Sequence, residues 1–206
     1  DRSGKDSQAA LLVERMRAAG QDPLLVAEPC SDLPTGQLLR KLLKSGEYRE
    51  SHVGLFFADR MALQASMVVP ALEAGRPVVS VRSFLSTICY QQEHHNLAWL
   101  YDIHRIMAVK PSHVVILDVD PEESQRRVGR DVRTPEVYER LSIQKRVRER
   151  YLNLPQDPRL LGLLRPETKI TIIPYPPLDL DPNISMGIVH EGIWSFLGNM
   201  SIETQK

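Results

Sequence analysis

Short runs of β-branched and other apolar residues alternate with longer segments of helical periodicity, and this rhythm is the strongest constraint on how the chain folds. Strands that alternate with helices pair in parallel, because each helix returns the chain to the same end of the sheet. The apolar runs predict strands at Leu24–Ala27, Val78–Val81, Val114–Val119 and Ile170–Ile173. The sequence is therefore expected to form an α/β fold with a parallel sheet covered by helices.

Helical spacing fills most of the remaining chain. It predicts helices at Lys5–Ala19, Thr35–Lys44, Val53–Ala74 with an interruption at Pro70, Glu136–Asn153 and Ile184–Leu197. Pro121 stands where a further helix begins, with Asp120 before it as a cap. No composition change marks a linker, so residues 1–206 are expected to form a single domain.

Charge and cysteine content narrow the class of protein. The 26 basic side chains balance the 26 acidic ones, so neither a nucleic acid nor an anionic membrane is expected as a partner. The apolar runs are shorter than the roughly 20 residues of a membrane helix, and the polar start at Asp1–Asp6 is unlike a secretory signal. Cys30 and Cys89 suit a reducing compartment, which favours the cytoplasm, with an organelle as the other option.

The segment Ser3-Gly4-Lys5-Asp6-Ser7 opens the first predicted helix and is similar to a phosphate loop. In such a loop, backbone N–H groups at a helix start hold phosphates and a lysine offsets their charge. The pattern departs from the consensus in two ways: its first glycine would fall ahead of Asp1, and Asp6 stands where a hydroxyl normally binds magnesium. Taken alone, the segment equally suits a helix cap with a solvated lysine.

Further segments stand in a recognisable order. They are D-R-S-G-K-D-S-Q at 1–8, E-P with P-T-G and L-R-K-L-L within 28–43, L-F-F-A-D-R at 55–60, P-A-L-E-A-G-R-P-V-V at 70–79, R-S-F-L-S-T-I-C-Y-Q at 82–91, P-S-H-V-V-I-L-D-V at 111–119 and R-V-R-E-R-Y-L at 146–152. In order and spacing these segments resemble the thymidylate kinase family, over residues 1 to about 198.

The resemblance implies a three-layer αβα P-loop fold, with a parallel five-stranded sheet and a small helical lid at about residues 126–140. It implies transfer of the ATP γ-phosphoryl group to dTMP in deoxynucleotide synthesis, with Mg²⁺, in a homodimer. At the ATP end it implies phosphate binding by Ser3, Gly4, Lys5, Asp6, Ser7 and Gln8. It implies catalytic roles for Arg2, Lys5, Arg82 and Arg130, with Arg126, Arg127 and Arg133 as other lid candidates.

At the acceptor end, the resemblance implies that Arg40 and Arg82 hold the monophosphate, as planar guanidinium groups do well. Phe56 would stack on the pyrimidine, and Arg60, one helical turn later, would reach its carbonyl edge. The remaining implied substrate residues are Asp1 at the 3′ hydroxyl, Glu28, and Ser86, Tyr90 and Gln91 at the base and sugar.

Val81 stands before Arg82 where the family has an aspartate, and valine cannot bind a metal. One hypothesis is that Asp6, the tentative magnesium ligand, supplies the carboxylate that position 81 lacks. Another is that the chain is a catalytically impaired nucleotide-binding relative. A third is a deoxynucleoside kinase, which would need a general-base glutamate near Glu28.

Overall fold

The computed structural model describes residues 3–106, 109–128, 138, 140–176 and 180–198. The strands in these ranges are β1 Leu24–Ala27, β2 Val78–Val81, β3 His113–Asp118 and β4 Lys169–Pro174. The helices are α1 Lys5–Ala18, α2 Pro34–Ser45, α3 His52–Leu63, α4 Val69–Glu73, α5 Phe84–Gln91, α6 Leu97–His104, α7 Pro121–Val128, α8 Leu141–Asn153, α9 Pro158–Leu161 and α10 Pro182–Leu197.

The strands pair in parallel, as the alternation of strands and helices predicted. β1 pairs with β2 from Leu24 opposite Val78 to Ala27 opposite Val81. β3 pairs with β4 in the same sense, starting with His113 opposite Lys169. The predicted strand positions are confirmed, with shifts of one residue at the ends of β3 and β4.

The described strands form two separate two-stranded sheets, so the expected continuous five-stranded sheet is not found within the described residues. A cavity of about 640 Å³ lies between β2 and β3, and we call it the inter-sheet slot. Apolar side chains of both strands line the slot, together with Leu12 and Met16 of α1. Three buried polar atoms in side chains that line it lack a hydrogen-bond partner among the described residues: Gln8 Oε1, Gln64 Oε1 and His113 Nε2.

Helices α3 and α4 belong to one helical run. The interruption expected at Pro70 lies just ahead of it, as a π-helical turn at Gln64–Val68. The run Arg49–Glu73 has 25 residues and is long and apolar enough to cross a membrane by length and composition alone. However, Asp59 and Arg60 in its middle are buried and form hydrogen bonds to other elements, as described below. These bonds make the run a structural helix of the domain.

The main apolar core lies between α3, α5, α6, β3, α8 and α9, where Ile88, Leu100 and Leu160 have no exposed surface. Cys89 belongs to this core and Cys30 to a smaller one beside β1, both as free thiols. α7 begins at Pro121 as predicted, and Asp120 Oδ1 accepts a hydrogen bond from the Glu122 amide at 2.8 Å.

Helix α8 begins at Leu141 because Arg140 has an extended backbone. The helix start predicted at Glu136 and most of the predicted lid lie outside the described residues.

Candidate active site

The segment that resembles a phosphate loop, Ser3–Ser7, spans the start of α1. Gly4 caps α1 with φ 77°, a left-handed conformation that glycine adopts without a steric penalty. A side chain at this position would also approach the ring of Tyr175, since a Cβ on Gly4 would lie 3.5 Å from Tyr175 Cε2. The first amides of α1 therefore face the loop with the positive end of the helix dipole behind them.

Lys5 and Asp6 form an ion pair at the start of α1, with Nζ of Lys5 2.6 Å from Oδ2 of Asp6. Burial lowers the pKa of Lys5 and the charge of Arg82 lowers it further, while Asp6 acts in the opposite direction. Burial alone would raise the pKa of Asp6, but the hydrogen bond from Lys5 and the charges of Lys5 and Arg82 bring it below its usual value. The lowered pKa of Asp6 keeps its carboxylate ionised at neutral pH, beside the amine of Lys5 and the guanidinium of Arg82.

Arg82 follows β2 directly and has φ 74°, which is uncommon for a residue with a side chain. The hydroxyl of Ser80 donates a hydrogen bond to the Arg82 carbonyl at 2.8 Å and helps to hold this backbone. The guanidinium carbon of Arg82 lies 5.3 Å from the ring centre of Tyr90. Strained backbone of this kind clusters at ligand-binding sites, where the surrounding structure fixes it.

A cavity of about 300 Å³ lies between these groups, and we call it the cationic cavity. Its volume is at the lower end of the range of small-molecule sites. The predicted residues that line it are Lys5, Asp6, Glu28, Arg40, Phe56, Arg60, Arg82, Ser86, Tyr90 and Gln91, together with Val81. The fold thus brings together side chains that the sequence distributes over residues 5–91.

The other described residues that the sequence predicted for the site do not line the cationic cavity. Ser3 lines the inter-sheet slot, and Ser7 is exposed on α1. The Gln8 side chain is buried and donates a hydrogen bond from Nε2 to the Met186 carbonyl at 2.8 Å, so it packs α1 against α10. Asp1, Arg2 and Arg130 lie outside the described residues.

Arg60 is held by a buried network. Its Nε and Nη2 donate hydrogen bonds to the carboxylate of Glu28, the shortest at 2.6 Å, and Nη2 also donates to Thr87 Oγ1 at 2.9 Å. Nη1 lies 3.1 Å from Nε2 of His104. The side chain of Arg60 is 2% exposed and that of Glu28 is 9% exposed, so water does not screen the pair.

Sequence reasoning missed three members of the site. His104 and Thr87 contact Arg60, and the buried carboxylate of Asp59 accepts hydrogen bonds from the Cys30 amide and the Thr35 hydroxyl, both at 2.8 Å. Asp59 stands in the A-D-R segment directly before Arg60, a signal that could have pointed to it. Nothing local marks His104, because its contact is with a residue 44 positions away.

Gln91 is buried and lines the cationic cavity. Its Nε2 donates a hydrogen bond to the Tyr138 hydroxyl at 3.1 Å, whereas its Oε1 has no partner among the described residues. A buried acceptor without a partner is unfavourable unless a ligand supplies a donor. The imide N–H of a pyrimidine such as thymine is a donor of that kind.

The described residues contain no group of three or more metal-ligating His, Cys, Asp or Glu side chains. Mg²⁺ bound with a nucleotide needs only one or two protein carboxylates, because phosphate oxygens and water complete its shell. Asp6 is 71% exposed and lines the cationic cavity, so its carboxylate suits that limited role.

Cations that converge on a cavity beside a phosphate loop can stabilise a phosphoryl group as it moves between two anionic ligands. The site therefore defines a P-loop phosphotransferase, of the P-loop α/β fold.

The chain belongs to the thymidylate kinase family, whose model, described as Thymidylate kinase, matches residues 1–166. It is 39% identical over 168 residues to a protein named "Probable thymidylate kinase" from Thermococcus gammatolerans, covering 76% of this chain and 79% of the relative. It is 34% identical over 166 residues to "Thymidylate kinase" of Ruegeria pomeroyi, covering 76% and 78%.

A solved structure is similar in fold. The crystal structure of thymidylate kinase from Ehrlichia chaffeensis superposes with a TM-score of 0.71 at 21% identity, covering 96% of this chain and 94% of that one. This similarity supports the P-loop α/β fold independently of sequence.

Proposed function

We propose that this chain converts dTMP to dTDP in the cationic cavity, with ATP as phosphoryl donor. Membership of the thymidylate kinase family makes the chain an ATP-dependent phosphotransferase with this reaction. The observation that carries the assignment of the site is the convergence of Lys5, Arg40 and Arg82 on one cavity that also holds Phe56 and Arg60.

The reaction forms one P–O bond and breaks another. An oxygen of the dTMP phosphate attacks the γ-phosphorus of ATP, and the bond to the β–γ bridging oxygen breaks to release ADP. The acceptor phosphate is already anionic at neutral pH, so no general base is required. The task of the protein is to position two polyanions and to offset the charge that spreads over the transferred group.

At the donor end, Lys5 and the amides of Ser3–Ser7 would hold the β- and γ-phosphates. The lowered pKa of Lys5 reflects burial and a neighbouring cation, and the negative charge of an incoming phosphate would offset both effects. Arg82, which lines the same cavity, would also contact the transferred group, while Arg2 and Arg130 remain proposed catalytic residues outside the described part of the chain.

At the acceptor end, Arg40 and Arg82 would bind the monophosphate. Phe56 is half-buried at the cavity wall, where its ring can stack on a pyrimidine. Arg60 would donate to a base carbonyl and Gln91 Oε1 would accept from the imide N–H. Glu28, Ser86 and Tyr90 would complete the pocket, and Asp1 would bind the 3′ hydroxyl.

Asp6 and Val81 line the same cavity, which supports the hypothesis that the carboxylate of Asp6 replaces the one missing at position 81. When bound, Mg²⁺ would offset the negative charge of the ATP phosphates. Asp6, whose carboxylate pairs with Lys5, would then serve as its protein ligand.

A coupled assay with ATP and dTMP, dUMP or thymidine tests the proposal. We expect turnover on dTMP and a loss of at least about a hundredfold in kcat/KM for Arg82→Ala, whereas Arg105→Ala at an exposed ion pair should retain activity. Turnover on thymidine alone would indicate a deoxynucleoside kinase. Thermal stabilisation by nucleotides without turnover would indicate an impaired binding protein.

We also propose that the functional sheet has five parallel strands, with a strand leading into Ser3 in the inter-sheet slot. The apolar lining supports this occupant, and so do the atoms of Gln8, Gln64 and His113 that lack a partner among the described residues, because a strand brings backbone donors as well as apolar side chains. Adding about six β-branched residues ahead of Asp1 should raise the urea midpoint of unfolding. A Gly/Ser extension of equal length should leave it unchanged.

We propose that residues 1–206 act as one domain with a lid at about 126–140, and that the enzyme is a homodimer in the cytoplasm. The free, buried thiols of Cys30 and Cys89 support a reducing compartment.

The face proposed for the partner subunit lies on the helical run Arg49–Glu73. Only 28% of the most apolar 18-residue stretch of this run is buried, and Met61 is exposed on it, which supports a partner subunit on that face. Met61→Glu should therefore lower the molecular mass measured by analytical ultracentrifugation from that of a dimer towards that of a monomer. Glu14→Lys, at an exposed position of α1, should leave the mass unchanged.

A further inference from the structure

His104 is the last residue of α6 and has almost no exposed surface. Its ring lies between two aromatic rings, with centroids 6.3 Å from Phe57 and 5.7 Å from Phe84. Two phenylalanines restrict the rotation of the imidazole. The orientation of both ring nitrogens is therefore set by packing as well as by hydrogen bonds.

The hydrogen bonds of His104 define its tautomer. Nδ1 lies 2.6 Å from the Leu100 carbonyl oxygen, which can only accept, so Nδ1 carries the hydrogen. Nε2 of the neutral ring then presents a lone pair, and Nη1 of Arg60 donates to it at 3.1 Å. Burial and the charge of Arg60 lower the pKa of His104 to about 4, so the ring is neutral at physiological pH.

The guanidinium of Arg60 has five N–H bonds. One on Nε and two on Nη2 are bound by Glu28 and Thr87, and one on Nη1 is bound by His104. The fifth, also on Nη1, has no partner among the described residues, and Arg60 lines the cationic cavity. Among the five N–H bonds of Arg60, this is the one that no described side chain binds.

Glu28 holds the Nε–Nη2 edge of a rigid plane, and that contact alone leaves the plane free to tilt about the bound edge. His104 binds the opposite corner and removes this freedom. A neutral acceptor does so without adding a second negative charge, which would weaken the attraction of Arg60 for a base carbonyl.

We propose that His104 is a positioning residue for substrate recognition: its Nε2 fixes Nη1 of Arg60 so that the remaining N–H meets a carbonyl oxygen of the acceptor pyrimidine. This inference rests on the proposed function, because it assigns the ligand of the free N–H. It predicts an effect on binding of the nucleoside monophosphate and none on binding of ATP.

The chain allows a matched pair of variants at this position. In His104→Gln, the amide oxygen reaches about as far as Nε2 and can accept from Arg60. In His104→Asn, the shorter side chain can still bond near Leu100 but cannot reach Arg60. We expect His104→Asn to raise the KM for dTMP about tenfold, with little change in the KM for ATP. The KM of His104→Gln for dTMP should stay within about threefold of the wild-type value.

A second readout does not depend on activity. In ¹⁵N NMR spectra of the full chain, restrained Nη1 hydrogens of Arg60 should give distinct signals in wild type and in His104→Gln, and these should collapse in His104→Asn. Equal dTMP KM values for wild type and His104→Asn, or unchanged Arg60 signals, would overturn the proposal. A wild-type enzyme with no turnover on dTMP would refute the proposed function instead, and the NMR comparison would still decide the role of His104.

Discussion

Glu28 at the end of β1 and Arg60 on α3 form a buried ion pair, with Oε2 of Glu28 2.6 Å from Nη2 of Arg60. Removal of one partner from such a pair leaves an uncompensated buried charge, which costs about 3–5 kcal/mol. Glu28→Ala should therefore lower the free energy of unfolding in urea by an amount of that order, and it should also weaken dTMP binding.

The exposed pair between Arg15 and Glu191 provides the control for this measurement. Water screens its charges, so Glu191→Ala should leave the unfolding free energy within experimental error. Equal effects of the two substitutions would contradict the role assigned to burial.

Asp6→Ser tests the magnesium hypothesis. If Asp6 supplies the carboxylate absent at Val81, turnover at low Mg²⁺ should fall at least about tenfold, since one of the few protein ligands of the ion is lost. Val81→Asp in the same chain should restore part of the loss. Asp22→Ser, at an exposed ion pair on another surface, should behave as wild type. Unchanged or improved activity of Asp6→Ser would disprove the compensation.

Gly36 lets the first turn of α2 approach the segment that follows β1. A Cβ on this residue would lie 1.9 Å from the Cys30 carbonyl oxygen. Gly36→Ala would therefore push the first turn of α2 away from the backbone of Cys30. We expect a loss of about 3 kcal/mol in unfolding free energy, together with a higher KM for dTMP because Arg40 is anchored to the same segment through Pro29.

Gly54→Ala is the matched control, since a Cβ on this glycine of α3 would meet no described atom within 4 Å apart from its chain neighbours and the backbone of its own helix. Alanine should stabilise this helix by about 0.5–1 kcal/mol. A stabilising effect at both glycines would contradict the close approach of α2.

The stability of the enzyme should depend on pH through His104. Its pKa of about 4 in the folded state is below the ordinary 6.5, so the unfolded chain takes up the proton first as the pH falls. The contribution of neutral His104 to the free energy of unfolding is fully present above pH 6.5. It is lost as the pH falls from 6.5 to about 4, and the loss is about 3 kcal/mol at most.

His104→Gln removes the titrating group from the network that it shares with Arg60 and Glu28. Urea unfolding of both proteins at several pH values should show a steeper loss of stability in wild type than in the variant. Parallel curves would show that His104 takes up its proton at an ordinary pH.

Local sequence determined the features that arise from neighbouring residues. The positions of the strands, the start of α7 at Pro121 with its Asp120 cap, and the placement of Phe56 and Arg60 one turn apart all follow from periodicity and hydrogen bonds within a few positions. The family resemblance added the set of residues around the cationic cavity, ten of which line it together.

Tertiary structure alone decided how those residues are paired. Glu28 and Thr87 reach Arg60 from 32 and 27 positions away, and His104 from 44, because packing of β1, α5 and α6 against α3 brings them into contact. The separation of β2 from β3 by the inter-sheet slot also depends on which strands find partners across the fold. Local periodicity carries no information about such distant contacts, since they result from burial of charge and apolar surface in the folded chain.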